Sequence, residues 1–94
     1  MLNPHQTEEY HRLLAMFDVS AFGYYACATL HGLTSPQVQD AGRNCQAVHK
    51  DIQALGTGLN PAARNDFEAL VQRDVVTSME NAMIRAAREI RGAA

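Results

Sequence analysis

Between Leu13 and Leu33 the sequence LLAMFDVSAFGYYACATLHGL carries apolar side chains in nearly every direction of a helical wheel, where a surface helix would carry one stripe. Tyr10, Leu14, Phe17, Ala21, Tyr24 and Ala28 step by four and three, the spacing of a seam that faces another helix. Met16, Val19, Gly23, Cys27 and Leu30 make a second row on the back, and Ala15, Phe22 and Tyr25 lie on the flank, interrupted by Asp18. A helix that is apolar all round is buried in protein or in a membrane, and Asp18, Ser20, Gly23, the Tyr24-Tyr25 pair and His31 speak against a bilayer. The expectation is a helix covered by protein.

Three prolines punctuate the chain, each after a good N-cap residue: Asn3-Pro4, Ser35-Pro36 and Asn60-Pro61. Proline suits the first helical position because its missing N–H would be unpaired there, and the Asn or Ser before it accepts a bond from the opening turn. Gln6 completes a possible capping box with Asn3, and Glu8 and Glu9 suit the positive end of the first helix. Gly32, Gly56 and Gly92 fall where the three helices would stop, as left-handed C-caps. The predicted helices are about 4–31, 36–55 and 61–91. The motif Leu-Asn-Pro occurs twice, at 2–4 and 59–61, and reads as repeated capping.

The second helix has one apolar face, Val38, Ala41, Cys45, Val48, Ile52 and Leu55. The third is less regular: Phe67, Leu70 and Val71 face one way, whereas Met79, Ala82, Met83, Ala86 and Ile90 centre about a third of a turn away. The switch falls at Asp74-Val75-Val76-Thr77, so the helix either bends there or covers different neighbours with its two halves. Connections this short force antiparallel neighbours. The predicted fold is all-α, an up-down-up antiparallel three-helix bundle in one domain over residues 1–94, with the apolar first helix at its centre.

Composition adds bounds. At 94 residues, 47% hydrophobic and 19% charged, the chain suits one small globular domain whose own core is modest, so association would help it. A net charge of −2 gives no general attraction to nucleic acid or anionic lipid. Cys27 and Cys45 sit in apolar helical rows, as buried thiols do, and no disulfide framework is indicated. The opening residues, with His5, Glu8 and Glu9, do not read as a secretion signal, so the expected location is cytoplasmic. Seven arginines against one lysine suit a GC-rich genome and carry no structural meaning.

Chemical candidates are few. Glu8-x-x-His11 resembles the Glu-x-x-His pair of ferritin-like iron sites, but the chain offers no second pair, and a solvated first turn explains it. Cys45-x-x-x-His49 lacks the further ligands of a zinc site and reads as a core thiol with a histidine at the core's edge. Arg85, Arg88 and Arg91 oppose the negative end of a helix dipole, with Glu80 and Glu89 diluting their field, so nucleic acid is not an expected partner. Phosphate loops, a Ser/His/Asp set and paired catalytic carboxylates are missing, so an enzyme is not expected, nor a cofactor or a bound metal.

What remains is the surplus apolar surface of the first helix. Two neighbours can cover its front and part of a flank, leaving Met16, Val19, Phe22, Gly23, Tyr25, Ala26, Cys27 and Leu30 as the expected partner or dimer interface. The alternative is that the long third helix wraps both rows. The favoured expectation is a homodimer acting as a small interaction protein, such as an adaptor, a chaperone-like protein or an inhibitor, with a further protein partner. A second is a helical bundle that binds a metal or small apolar ligand in a cavity lined by Tyr24, Tyr25, Cys27 and His31.

Overall fold

The computed structural model describes residues 2–93, with side chains as far as Ile90. Helix α1 spans Pro4–His31, α2 Pro36–Ala54 and α3 Pro61–Ala93, and no strand occurs among the described residues. Each helix opens on its proline. Asn3 Oδ1 accepts the Gln6 backbone N–H at 2.7 Å and Gln6 Oε1 accepts the Asn3 N–H at 2.9 Å, closing the capping box. Ser35 Oγ accepts from the Val38 N–H at 3.3 Å, and Asn60 Oδ1 from the Ala63 N–H at 2.9 Å. Glu8 and Glu9 are not in the first turn, so their expected service to the helix dipole is corrected: Glu9 pairs with Arg12, which holds its carboxyl below the usual range.

Of the three glycine stops, only Gly32 ends its helix with a positive φ, and its ψ of 156° is extended rather than that of the expected αL cap. Its φ is 84°, and its N–H donates to the Ala28 carbonyl at 3.0 Å. Gly56 has no positive φ; it is buried, and a Cβ there would stand 2.6 Å from Cδ1 of Phe67. Space for that ring is the reason for a glycine at this turn. The backbone of α3 continues through Gly92 to Ala93, so no stop occurs there.

Helix α1 is shared: α2 and α3 each pack along it, and they touch one another little. On the α2 side the Phe17 and His49 rings meet edge to face at 6.0 Å, and the Tyr24 ring lies against Gly42. On the α3 side Tyr10 meets Phe67 at 5.9 Å, and its hydroxyl donates to Asp74. The buried row of α1 is Tyr10, Leu13, Phe17 and Ala21, with Leu14 only half-buried, and Ile52 of α2 is fully buried.

The irregularity of the third helix has a physical resolution. Its buried row is Phe67, Val71, Val75, Ser78, Ala82 and Ala86, spaced four, four, three, four and four. At 100° per residue that row turns by about 100° around the helix over its length. The rotation read from sequence is therefore spread along one continuous helix that keeps the same neighbour, α1. Met79 and Met83, expected in the core, are 38% and 50% exposed, because the contact is made by Ala82 and Ala86 and the larger side chains flank it. Nor does α3 wrap the back row of α1, where Val19 stays 72% exposed.

Gly56→Ala should lower stability in urea by about 1–3 kcal/mol, because the new methyl overpacks against Phe67. Gly58→Ala, where a Cβ meets nothing within 4 Å, is the control and should change the midpoint little.

Candidate interaction surface

The back of α1 is an uncovered apolar strip. Met16 is 43% exposed, Leu30 64%, and Leu33 just past the helix 71%. Gly23, Ala26 and Cys27 between them are half-buried, and a Cβ on Gly23 would meet nothing within 4 Å. No Asp, Glu, Lys or Arg lies between Asp18 and Asp40 in the sequence, so beyond Asp18 no acid, lysine or arginine of α1 itself interrupts the strip. By length and composition α1 could also cross a bilayer, and only 17% of its most apolar window is buried.

The other two residues named from sequence for this surface behave differently. Phe22 and Tyr25 are half-buried and pack against the core cluster. Phe22 carries the Arg85 guanidinium 4.9 Å above its ring, toward α3. Tyr25 stacks edge to face on Tyr24 at 5.3 Å, and burial first, then the neighbouring Tyr24, pushes its hydroxyl pKa up. The pair borders a cleft of about 250 Å³ between the helices, together with Ala21, Gly42, Cys45 and Met79.

That cleft revises the second sequence reading. Tyr24 and Tyr25 line it, but Cys27 and His31 do not, and His31 is exposed at the end of α1. Both cysteines are half-buried rather than buried, and burial raises the Cys45 thiol pKa, which makes it a poor nucleophile. Glu8 and His11 are exposed, and no cluster of three or more His, Cys, Asp or Glu side chains suited to a metal occurs among the described residues. Arg91 lies outside the described side chains; Arg85 is turned inward to Asp18 and Phe22, and Arg88 is exposed.

Two polar clips between α1 and α3 escaped the sequence reading. Asp18, which looks like an interruption of the flank, accepts from buried Ser78 Oγ at 3.0 Å and from Arg85 Nη1 at 3.3 Å. Asp74, at the apparent switch, accepts from the Tyr10 hydroxyl and from Arg73 Nε at 3.3 Å. The only signal in the sequence was an acid on an otherwise apolar face, and partners sixty or more residues away cannot be found from local spacing. These clips hold α3 to one side of α1 and so keep the back strip clear.

Burial, and then the bond to the Asp74 carboxylate, raises the Tyr10 hydroxyl pKa well above its usual value. A raised folded pKa gives stability that is complete below about pH 10 and is lost as pH climbs through the alkaline range. Tyr10→Phe should therefore cost about 1–2 kcal/mol near neutrality and flatten the fall in urea midpoint between about pH 10 and 12 relative to the parent. An unchanged alkaline slope would remove Tyr10 from that role. Set beside known protein families, curated proteins and solved structures, the chain matches none of them, so its function is argued from this geometry.

Proposed function

We propose that the protein is a small interaction module that works as a homodimer, an up-down-up antiparallel bundle that pairs the back of its α1 with the same face of a second copy. The observation that carries this reading is the exposed row Met16, Val19 and Leu30 on a helix whose front is already occupied by two neighbours. Contiguous apolar surface of this kind is unusual on a monomer. Gly23 and Ala26 lie within the row and let a second helix backbone come close, and a face that meets itself about a two-fold axis closes the assembly. The order of contacts along α1, from Phe17 with His49 to Tyr24 with Gly42 on one side and from Tyr10 with Phe67 to Phe22 with Arg85 on the other, supports the up-down-up reading. Nothing in the site favours catalysis.

The structure also selects the variants for a clean test. Phe22→Glu would strike the packing under Arg85, whereas a side chain at Gly23 points into open space and Val19 is mostly in solvent. The parent should scatter light as a dimer, and Gly23→Glu and Val19→Glu should each give a soluble, fully helical monomer, since an unpaired carboxylate buried in an apolar interface costs several kcal/mol. A parent that stays monomeric at high micromolar concentration overturns the proposal. If that monomer floats with lipid vesicles, the strip serves a membrane instead.

A further inference from the structure

The twice-occurring Leu-Asn-Pro acquires a meaning in the fold that capping alone does not supply. Leu2 and Leu59 each precede an N-cap, the position from which an apolar residue ordinarily packs on the fourth residue of its own helix. Those fourth residues are Thr7 and Arg64, neither of them the apolar side chain that ordinarily completes the contact. Instead both leucines border one hollow of about 460 Å³, between the start of α1, the α2–α3 turn and the first turns of α3. Leu2, Leu59 and Leu70 are only partly buried against the core there, so three leucines from three segments converge and leave a space unfilled.

Its walls are organised by polarity. Phe67, Leu70 and Ala63 supply the apolar side, while His11 and Arg73 stand at the level of Tyr10 and Asp74. Arg73, its side chain 72% exposed, donates its Nε to Asp74, which also accepts from the Tyr10 hydroxyl; the terminal guanidinium nitrogens of Arg73 have no hydrogen-bond partner among the described residues and can turn to a second anion. The exposed carboxylate of Asp66 lies seven residues before Arg73, about 10 Å away along the helix at 1.5 Å per residue. A hollow in the size range of small-ligand sites, apolar along Leu2, Leu59, Ala63, Phe67 and Leu70, with Arg73 and His11 toward one end and the Asp66 carboxylate toward the other, has the character of a binding pocket. A hollow of about 480 Å³ between α2 and α3 is lined largely by His49, Gln53, Arg64, Glu68 and Gln72 and lacks that separation.

We propose that the Leu2–Leu59–Leu70 pocket binds a small amphiphile with a carboxylate head, the head on Arg73 beside His11 and a short hydrocarbon body against the three leucines and Phe67. None of these residues belongs to the back strip of α1, so the site stands or falls apart from the dimer.

The probe is octanoate, titrated by calorimetry and by amide chemical shifts into the protein in whichever assembly it adopts. The expected result is saturable binding, with the amides of Leu59, Ala63 and Leu70 moving first. Octylamine, with the same tail and the opposite head, should bind at least tenfold more weakly, and Arg73→Gln should weaken octanoate at least fivefold. Ala63→Leu separates the site from mere folding: it fills the hollow, should keep or raise the melting temperature, and should abolish binding. Absence of saturation with octanoate, equal affinity for octylamine, or full binding by a folded Ala63→Leu variant would each overturn the proposal.

Discussion

One narrow row, Tyr10, Leu13, Phe17 and Ala21, has to hold two helices to α1, because α2 and α3 give one another little support. The row is heavy at its start and light at its end. Around Tyr10 to Phe17 the core is filled by Ile52, Phe67, Val71 and Val75, whereas beyond Ala21 it is continued by the alanines of α3, Ala82 and Ala86. Buried area, and with it the hydrophobic term, is therefore concentrated near the N-terminal end of α1. Small residues at the other end let the helices approach closely but leave little volume to bury, so Met79, Met83 and the Tyr24-Tyr25 pair remain partly in solvent. The aromatic half anchors the fold and the alanine half is the more open one.

The polar clips answer a weakness of that design. Apolar contacts are non-directional, and a slowly turning row of Val and Ala along α3 sets its rotation only loosely. Asp18 with Ser78 and Arg85, and Asp74 with Tyr10, fix it, since each is satisfied at one register and would leave a half-buried carboxylate or a buried hydroxyl short of partners at any other. Buried hydrogen-bonding groups among the described side chains are all partnered, as such a role requires. The energetic worth of the Arg85 pair is small, because both side chains still reach solvent; its contribution is to orientation.

How legible this was in the sequence depends on the range of the interaction. The starts at Pro4, Pro36 and Pro61 are local events, decided by a cap and a proline within four residues, and they stand where the sequence puts them. The single face of α2 is likewise a matter of spacing, and Val38, Val48 and Ile52 are buried as their periodicity implies. Gly56 stands at the end of α2 for a reason no local rule contains, the ring of Phe67. Met79 and Met83 were misplaced because periodicity ranks positions by direction alone, while the contact distance was set by the smaller Ala82 and Ala86. The surplus on α1 was legible as a quantity, more apolar positions than two neighbours can cover; what covers it is a question of assembly.

Gly23 bears on that question through the free energy of the helix itself. A glycine inside a helix costs about 1 kcal/mol relative to alanine. In this chain Gly32 answers with its positive φ, Gly56 with the Phe67 ring, and Gly42 with the Tyr24 ring, which lies 3.4 Å from where a Cβ would stand. Gly23 sits mid-helix with no positive φ and nothing within 4 Å of its missing Cβ, so the folded chain alone gains nothing from it. Its neighbours along the back, Val19 and Ala26, flank a shallow notch in an otherwise apolar ridge. A second helix crossing at that notch could bring its backbone closer than any side chain at position 23 would allow, converting the local cost into contact area on both copies at once, and a two-fold axis through Gly23 is the arrangement in which the same residue supplies both halves of the fit.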